Sequence, residues 1–139
     1  MSINKFNSEG YYDPTAYEAM TAVEKEERAL RAFRPIVYIY SPYAGDVSEN
    51  IKNARKYSRF AVDKGYIPVA PHLLFPQFLN DNNPKERQLG LFFGNALMSK
   101  CSEVWVFGDR ISSGMEAEIR RAKWKNYRLR YFTNTCEEV

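Results

Sequence analysis

Two carboxylates at the start of one predicted helix are the residues best suited to chemistry in this chain. The stretch Ser112 to Glu118 predicts a helix N-terminus, where the helix dipole favours the charged form of a carboxylate. Glu116 stands three residues after Ser113, and a capping box accounts for it. Glu118 lies about 65° from the centre of the apolar stripe of that helix, against about 95° for Glu116. Glu118 is therefore the carboxylate that points more nearly toward the strand ends.

A carboxylate held among apolar neighbours is costly unless it is used or paired. Glu118 is therefore either a functional acid or one half of a salt bridge with Arg120 or Arg121. Tyr38 and Tyr40 project to the same side of the first predicted strand. Two interpretations are open. One of the two tyrosines reaches a carboxylate at the end of the sheet, or both tyrosines are core residues whose hydroxyls are hydrogen-bonded.

Polar residues also follow the predicted strands. The loop after the first strand offers a hydroxyl, backbone amides and a helix N-terminus, which suit a phosphate or a sugar hydroxyl, although a simple turn at its glycine explains it equally well. His72, the single histidine, either binds a base or phosphate or is an ordinary loop histidine. Asp109 either holds a ribose hydroxyl or shapes its turn. The candidate binding residues of the first loop are Ser41, Pro42, Gly45 and Asp46.

Alternating helix and strand signals predict the elements that position these residues. The expected strands are Ile36–Tyr40, Tyr66–Ala70, Glu103–Phe107 and Arg128–Phe132. The expected helices run from Pro14, capped by Asp13, to about Phe33, from Asp46 to about Lys64, from Asn83 to about Lys100, and from Ser113 to about Lys125.

The second strand, the segment that follows it and the C-terminal tail carry less regular patterns. Pro68 lacks a ladder donor and predicts an edge position for the second strand. Residues 71–83 predict a lid or a subunit contact, and the tail Thr133–Val139 is expected to be loose. A patch of Leu73, Leu74, Phe75 and Phe78 predicts a homo-oligomer.

Strands that alternate with helices predict an α/β fold, in which a parallel sheet with right-handed crossovers carries helices on both faces. The ligand of such a sheet lies at the carboxyl ends of the strands. We expect residues 34–139 to form this domain and residues 1–33 to be an extension with one helix.

Composition excludes several classes of protein. With 139 residues, 45% apolar and 15% aromatic, the chain is expected to be a folded globular protein rather than a disordered one. A net charge of +3 spread along the chain does not indicate nucleic-acid binding. No apolar run is long enough for a membrane span, and the polar N-terminus predicts no signal peptide, so we expect a cytoplasmic protein with reduced Cys101 and Cys136. One histidine and two distant cysteines predict no metal site.

Three segments resemble, in order, the nucleoside 2-deoxyribosyltransferase-like superfamily: Val37–Tyr43, Val104–Asp109 and Ser113–Ile119. The resemblance is to a branch of small proteins of bacteria and their phages, related to the deoxynucleoside 5'-monophosphate N-glycosidases, and it covers Pro35 to Phe132. It implies a flavodoxin-like doubly wound sheet of four to five strands.

The resemblance also implies roles for individual residues. Glu118 matches the nucleophile of the family, and Tyr38 matches a first-strand tyrosine that hydrogen-bonds to it. Ser113 matches a serine that holds the 5'-phosphate, with Gly114 and Met115 beside it. Two acids that often grip the nucleobase in the transferases are replaced, one by Ser112 and the other in the neighbourhood of Gly94-Asn95.

The function that this resemblance implies is cleavage of the N-glycosidic bond of a nucleoside or deoxynucleoside 5'-monophosphate without a cofactor or metal. His72, Asp109 or a water would protonate the leaving base. The alternative is a non-catalytic nucleotide-binding protein that senses or sequesters a nucleotide signal, for example an ADP-ribose derivative. A third reading is an interaction protein built around Pro71–Leu79 and the N-terminal helix.

Overall fold

The computed structural model describes residues 14–111 and 113–139, and the chain divides into two compact units, residues 1–33 and 34–139. The described part of the first unit is the helix α1, Pro14–Leu30, which ends three residues earlier than expected. An ion pair between Arg31 and Glu27 lies at its C-terminal end. The predicted cap, Asp13, lies outside the described residues.

The second unit is an alternation of strands and helices. Its strands are β1, Ile36–Tyr40; β2, Ile67–Val69; β3, Glu103–Phe107; and β4, Leu129–Phe132. Its helices are α2, Val47–Asp63; α3, Pro71–Leu74, which a 3₁₀ turn at Phe75–Gln77 follows; α4, Pro84–Met98; and α5, Ser113–Trp124. The expected strands and long helices are confirmed to within a few residues at each end.

The four strands form one parallel sheet in the order β2-β1-β3-β4. β1 and β3 are central, and β2 lies at the edge, as Pro68 predicts. The α/β fold with helices on both faces is confirmed. The reversal of strand order at β1 and β3 is the switch point at which a doubly wound sheet opens a crevice for a ligand.

Alternate residues of each central strand bury against opposite helical layers. One core joins the Tyr38 and Tyr40 face of the sheet to α4 and α5, and its other members are Met98, Val104, Val106, Met115, Ile119 and Ala122. The other core joins the opposite face to α2 and consists of Val37, Ile39, Tyr57, Ala61, Trp105, Phe107 and Phe132. Because α5 packs through Met115, Ile119 and Ala122, its N-terminal turns are held over the carboxyl ends of β1 and β3.

The segment that follows β2 is helical at residues 71–77, with Pro71 at the first position of α3. A lid or a subunit contact there stays a prediction. Leu74 and Phe78 are exposed there while Leu73 and Phe75 are half-buried, and self-association stays a prediction.

The C-terminal tail is not loose. It folds back on β4 through an antiparallel bridge between Phe132 and Glu138 and a hydrogen bond of 2.9 Å from Val139 N to Tyr131 O. The Arg130 guanidinium binds the Glu138 carboxylate, an ion pair that the polar composition of the tail did not reveal. No helix among the described residues is long and apolar enough to cross a membrane.

Candidate active site

A cleft of about 280 Å³ opens at the carboxyl ends of β1 and β2, between the β1–α2 loop, α3, α4 and the start of α5. Its volume is close to the lower end of the range for small-molecule sites. The lining residues are Tyr38, Tyr40, Ser41, Pro42, Tyr43, Ala44, Pro71, His72, Phe75, Pro76, Leu79, Asp81, Glu86, Arg87, Gly90, Leu91, Gly94, Asn95, Met115 and Glu118.

Glu118 lies on the wall of this cleft, on the second turn of α5, and is half-buried. Among the described residues its carboxylate has no cation within ion-pair distance, so the salt bridge with Arg120 or Arg121 is absent there. Its interaction is instead a hydrogen bond with the hydroxyl of Tyr40. A phenol that donates to a carboxylate orients it without neutralising its charge. An acid that acts as a nucleophile or stabilises a positive charge needs both a fixed orientation and its negative charge.

Tyr38 and Tyr40 are both buried, with ring centroids 6.3 Å apart, but they differ in their relation to Glu118. Burial, followed by the hydrogen bond to Glu118, raises the pKa of Tyr40, whereas burial and the more distant charge of Glu118 raise the pKa of Tyr38. The hydrogen bond with Glu118 is thus made by Tyr40, and a catalytic role for Tyr38 stays a prediction. Two residues along a strand span about 6.6 Å, which brings Tyr40 nearer to the end of the sheet where α5 begins.

The hydroxyl of Tyr38 faces α4. A Cβ atom added to Gly94 would lie 3.1 Å from this hydroxyl oxygen, tighter than an ordinary contact. Gly90, one turn earlier, also lines the cleft, and a Cβ there would meet Leu79 at 3.6 Å. The two glycines thus let Leu79 and the Tyr38 hydroxyl approach the backbone of α4 closely.

His72 closes the cleft on the β2 side. Its Nε2 donates to the carbonyl oxygen of Ser41 at 3.0 Å, and its ring stacks on Tyr43 with centroids 4.9 Å apart. Because a carbonyl only accepts, Nε2 carries the proton and Nδ1 of the neutral ring is an acceptor. Burial lowers the pKa of His72, against the opposing effects of the Ser41 carbonyl and the Asp81 charge.

The structure brings six of the predicted site residues together as lining residues: Tyr38, Ser41, Pro42, His72, Met115 and Glu118. Ser113 and Gly114 form the start of α5, but the surroundings of their side chains lie outside the described part. Ser113, predicted as the N-cap, is already the first helical residue.

Three predicted binding residues are not among the lining residues. Asp46 caps α2, where its carboxylate accepts from Glu49 N at 3.2 Å. Gly45 has a φ of +97° and makes the turn that precedes that cap. Asp109 is exposed and accepts from Asn134 N at 3.4 Å, so the folded-back tail takes up its carboxylate. Asp46 and Gly45 thus have local structural roles, whereas Asp109 contacts a segment that is distant in the sequence.

The cleft also contains residues that were not predicted as binding residues. Phe75 and Leu79 form an apolar wall opposite α4, and Asp81, Glu86 and Arg87 lie farther out. The sequence did contain a feature of the α4 wall of the cleft, namely two glycines four residues apart in an amphipathic helix. Glycines carry no functional group, so their spacing did not indicate chemistry.

Comparison with known proteins identifies the family. The family model described as Domain of unknown function (DUF7768) matches residues 35–132. The chain belongs to this family. The DUF7768 domain spans all four strands and every described lining residue of the cleft, so the candidate site lies within residues 35–132.

A solved structure gives an independent comparison of the fold. The DUF7768 domain is similar to a 2-deoxyribosyltransferase from the psychrotolerant bacterium Bacillus psychrosaccharolyticus, with a TM-score of 0.59 and 15% sequence identity over 70% of this chain and 72% of that one. The likeness shows a distantly related flavodoxin-like fold. No curated protein matches the sequence.

Proposed function

We propose that the protein cleaves the N-glycosidic bond of a nucleoside or deoxynucleoside 5'-monophosphate, with Glu118 as the nucleophile. The observation that carries the proposal is the placement of Glu118: a carboxylate without a cationic partner among the described residues, oriented by the Tyr40 hydroxyl, in the wall of a cleft at the switch point of the sheet. The deoxyribosyltransferase-like fold supports the same class of chemistry.

The reaction would begin as the bond between the anomeric carbon and the base nitrogen breaks through an oxocarbenium-like state. A Glu118 oxygen forms the new bond to the anomeric carbon, and the electron pair of the broken bond leaves with the base. Water then attacks the same carbon and releases the sugar phosphate and the free carboxylate. The Tyr40 hydrogen bond holds Glu118 in place through both steps.

The leaving base must gain a proton, and the structure narrows its source. Asp109 is not among the residues that line the cleft, and its carboxylate accepts a hydrogen bond from Asn134 N. The His72 proton on Nε2 is directed at the Ser41 carbonyl, and its lowered pKa disfavours a second proton on Nδ1 near neutral pH. A water in the cleft is therefore the donor that this arrangement favours.

The phosphate would lie at the start of α5, where Ser113 and the helix N-terminus favour an anion. Ser41 is a second polar group of the cleft, because its side chain is buried and its hydroxyl has no hydrogen-bond partner among the described residues. A buried hydroxyl left unpaired costs stability, and a polar group of the ligand would remove that cost.

The test is release of free base from a panel of nucleoside and deoxynucleoside 5'-monophosphates, followed by chromatography. Glu118→Gln should lower the rate by about a thousandfold or more while the protein stays folded. The matched control is Glu116→Gln, since Glu116 is exposed on the same helix outside the cleft and its replacement should leave the rate unchanged. Equal rates in the wild type and Glu118→Gln would refute the proposal.

A second candidate function is nucleotide binding without turnover, in which the protein senses or sequesters a nucleotide signal such as an ADP-ribose derivative. The observation that favours it is the engagement of both predicted proton donors, Asp109 and His72, in other hydrogen bonds. Calorimetry with the same nucleotides distinguishes the two functions. Binding followed by recovery of intact ligand supports sequestration, whereas recovery of free base supports hydrolysis.

A further inference from the structure

Three charged side chains line the cleft beside the N-terminal end of α4, which we call the outer end of the cleft. Asp81 and Arg87 are exposed and Glu86 is half-buried, whereas Tyr38 and Tyr40 at the inner end are buried. The side chains of Asp81, Glu86 and Arg87 form no hydrogen bond or ion pair with the described residues, although all three line the cleft. Their hydrogen-bonding capacity is therefore available to a ligand.

The separation of the two ends corresponds to the size of a base with its sugar carbon. Gly94 lies beside the Tyr38 hydroxyl at the inner end, and Arg87 lies seven residues earlier on α4. At 1.5 Å of rise per residue, about 10 Å of helix separates them. Because the charge of Glu118 acts on Tyr38 at the inner end, a purine whose anomeric carbon lies next to Glu118 and that extends along α4 would point its far edge toward Arg87.

The walls between the two ends are mainly apolar. Phe75, Leu79 and Leu91 line the cleft there, with Leu79 at contact distance from Gly90 and the Tyr38 hydroxyl beside Gly94. A base that lies along these side chains meets apolar surface on one face. Among the described lining residues, the charged side chains on this side of the cleft are the three at its outer end.

The balance of charge decides what this outer end can bind. Two carboxylates and one guanidinium carry a net charge of −1, which repels a phosphate but complements a neutral base. The carboxylates accept two hydrogen bonds and the guanidinium donates to an acceptor. Guanine presents that set on its outer edge: one acceptor, the C6 oxygen, beside two donors, the N1–H and the 2-amino group. Cytosine and thymine each present two acceptors and one donor. Adenine presents one acceptor and one donor.

We propose that Asp81, Glu86 and Arg87 select a guanine base, with Arg87 donating to the C6 oxygen and the two carboxylates accepting from N1–H and the 2-amino group. This assignment rests on the proposed function for the position of the sugar. Arginine contacts to the guanine oxygen and nitrogen edge are among the most selective that proteins make.

The experiment measures binding of 5'-deoxynucleotides to full-length Glu118→Gln protein by calorimetry, with dGMP, dIMP, dAMP, dCMP and TMP as ligands. We expect dGMP to bind at least about tenfold more tightly than dAMP, dCMP and TMP. The nucleotide dIMP lacks the 2-amino group and should fall between them. Equal affinities across the panel would overturn the assignment.

Variants at the outer end identify the groups responsible. Arg87→Gln should remove most of the preference for dGMP, and the double variant Asp81→Asn, Glu86→Gln should abolish the difference between dGMP and dIMP. Arg55→Gln is the control, since Arg55 is exposed on α2 and does not line the cleft. A uniform loss of affinity for all five nucleotides in Arg87→Gln, with deoxyguanosine unaffected, would show that Arg87 binds phosphate instead.

The outcomes separate this assignment from the proposed function. A preference for dGMP without release of guanine by the wild type supports guanine recognition and refutes hydrolysis. Release of base that depends on Glu118 but not on the identity of the base refutes guanine recognition and supports hydrolysis. Failure of every nucleotide to bind would overturn both.

Discussion

Two glutamates at opposite ends of the same sheet have opposite surroundings. Glu103, the first residue of β3, is buried and faces two arginines, with Arg130 at 3.5 Å and Arg128 at 3.7 Å from one carboxylate oxygen. The Tyr66 hydroxyl also hydrogen-bonds to it. Glu118, at the carboxyl end, has the Tyr40 hydroxyl as its hydrogen-bond partner and a cleft in front of it.

The difference shows which carboxylate is free to react. A charge compensated by two guanidinium groups is part of the fold, because its reaction with a ligand would leave the cations unpaired. A charge held by a neutral phenol remains available to a developing positive centre such as an oxocarbenium ion. Burial of an acid alone would have selected Glu103, whereas the type of partner selects Glu118.

The largest effect expected from this comparison is on stability. Glu103→Gln should lower the free energy of unfolding by about 2 kcal/mol, because it leaves two arginines facing a neutral side chain while Arg130 keeps Glu138. Glu118→Gln should change it by less than about 1 kcal/mol. Urea denaturation of both variants measures the difference. Similar losses in the two variants would mean that Glu118 is as structural as Glu103.

A smaller effect separates the two tyrosines. Tyr40→Phe removes the hydroxyl that hydrogen-bonds to Glu118 and should lower kcat/KM for base release by at least about tenfold. Tyr38→Phe removes a hydroxyl that faces Gly94 and should cost less than Tyr40→Phe. Steady-state kinetics on the two variants compares them directly. A larger loss in Tyr38→Phe would return the positioning role to the tyrosine that the family resemblance favours.

Sequence patterns predicted most of the fold because its elements are locally encoded. Continuous β-branched and aromatic runs predict buried parallel strands, and β1 and β3 have the predicted bounds. Asp46 predicted the start of α2 through a cap that the structure contains. The four-residue helix α3 was missed because Pro71 and Pro76 resemble loop punctuation, and so short a helix depends on tertiary contacts.

The site was predicted only in part because it depends on how far along each strand a side chain lies and on contacts between distant segments. Helical geometry selected Glu118, but the alternation of β1 places Tyr38 and Tyr40 on one face and does not say which reaches α5. The Arg130–Glu138 pair and the engagement of Asp109 arise from the path of the tail, which no local pattern encodes. These are contacts between distant segments, and single-sequence patterns report mainly near neighbours.

The smallest expected effect is a pH dependence at the carboxyl end of the sheet. Burial lowers the pKa of His72 in the folded protein, so the unfolded chain binds that proton more readily. The stability linked to this group is therefore complete above the unfolded pKa of about 6.5 and is lost as the pH falls through the lower folded pKa. His72→Gln keeps a donor for the Ser41 carbonyl but does not titrate, so its stability should fall less below pH 6.5 than that of the wild type.

Urea denaturation between pH 8 and pH 5 measures this difference. The same series in the Glu103→Gln background tests whether the pH effect of His72 is independent of the other end of the sheet. Because His72 and Glu103 lie at opposite ends of the sheet, the histidine effect should persist unchanged when Glu103 is replaced. A parallel decline of wild type and His72→Gln would show that His72 titrates as it does in the unfolded chain. A histidine effect that disappears in Glu103→Gln would show that the two ends are coupled, and the contrast between the two glutamates would then no longer reflect independent local surroundings.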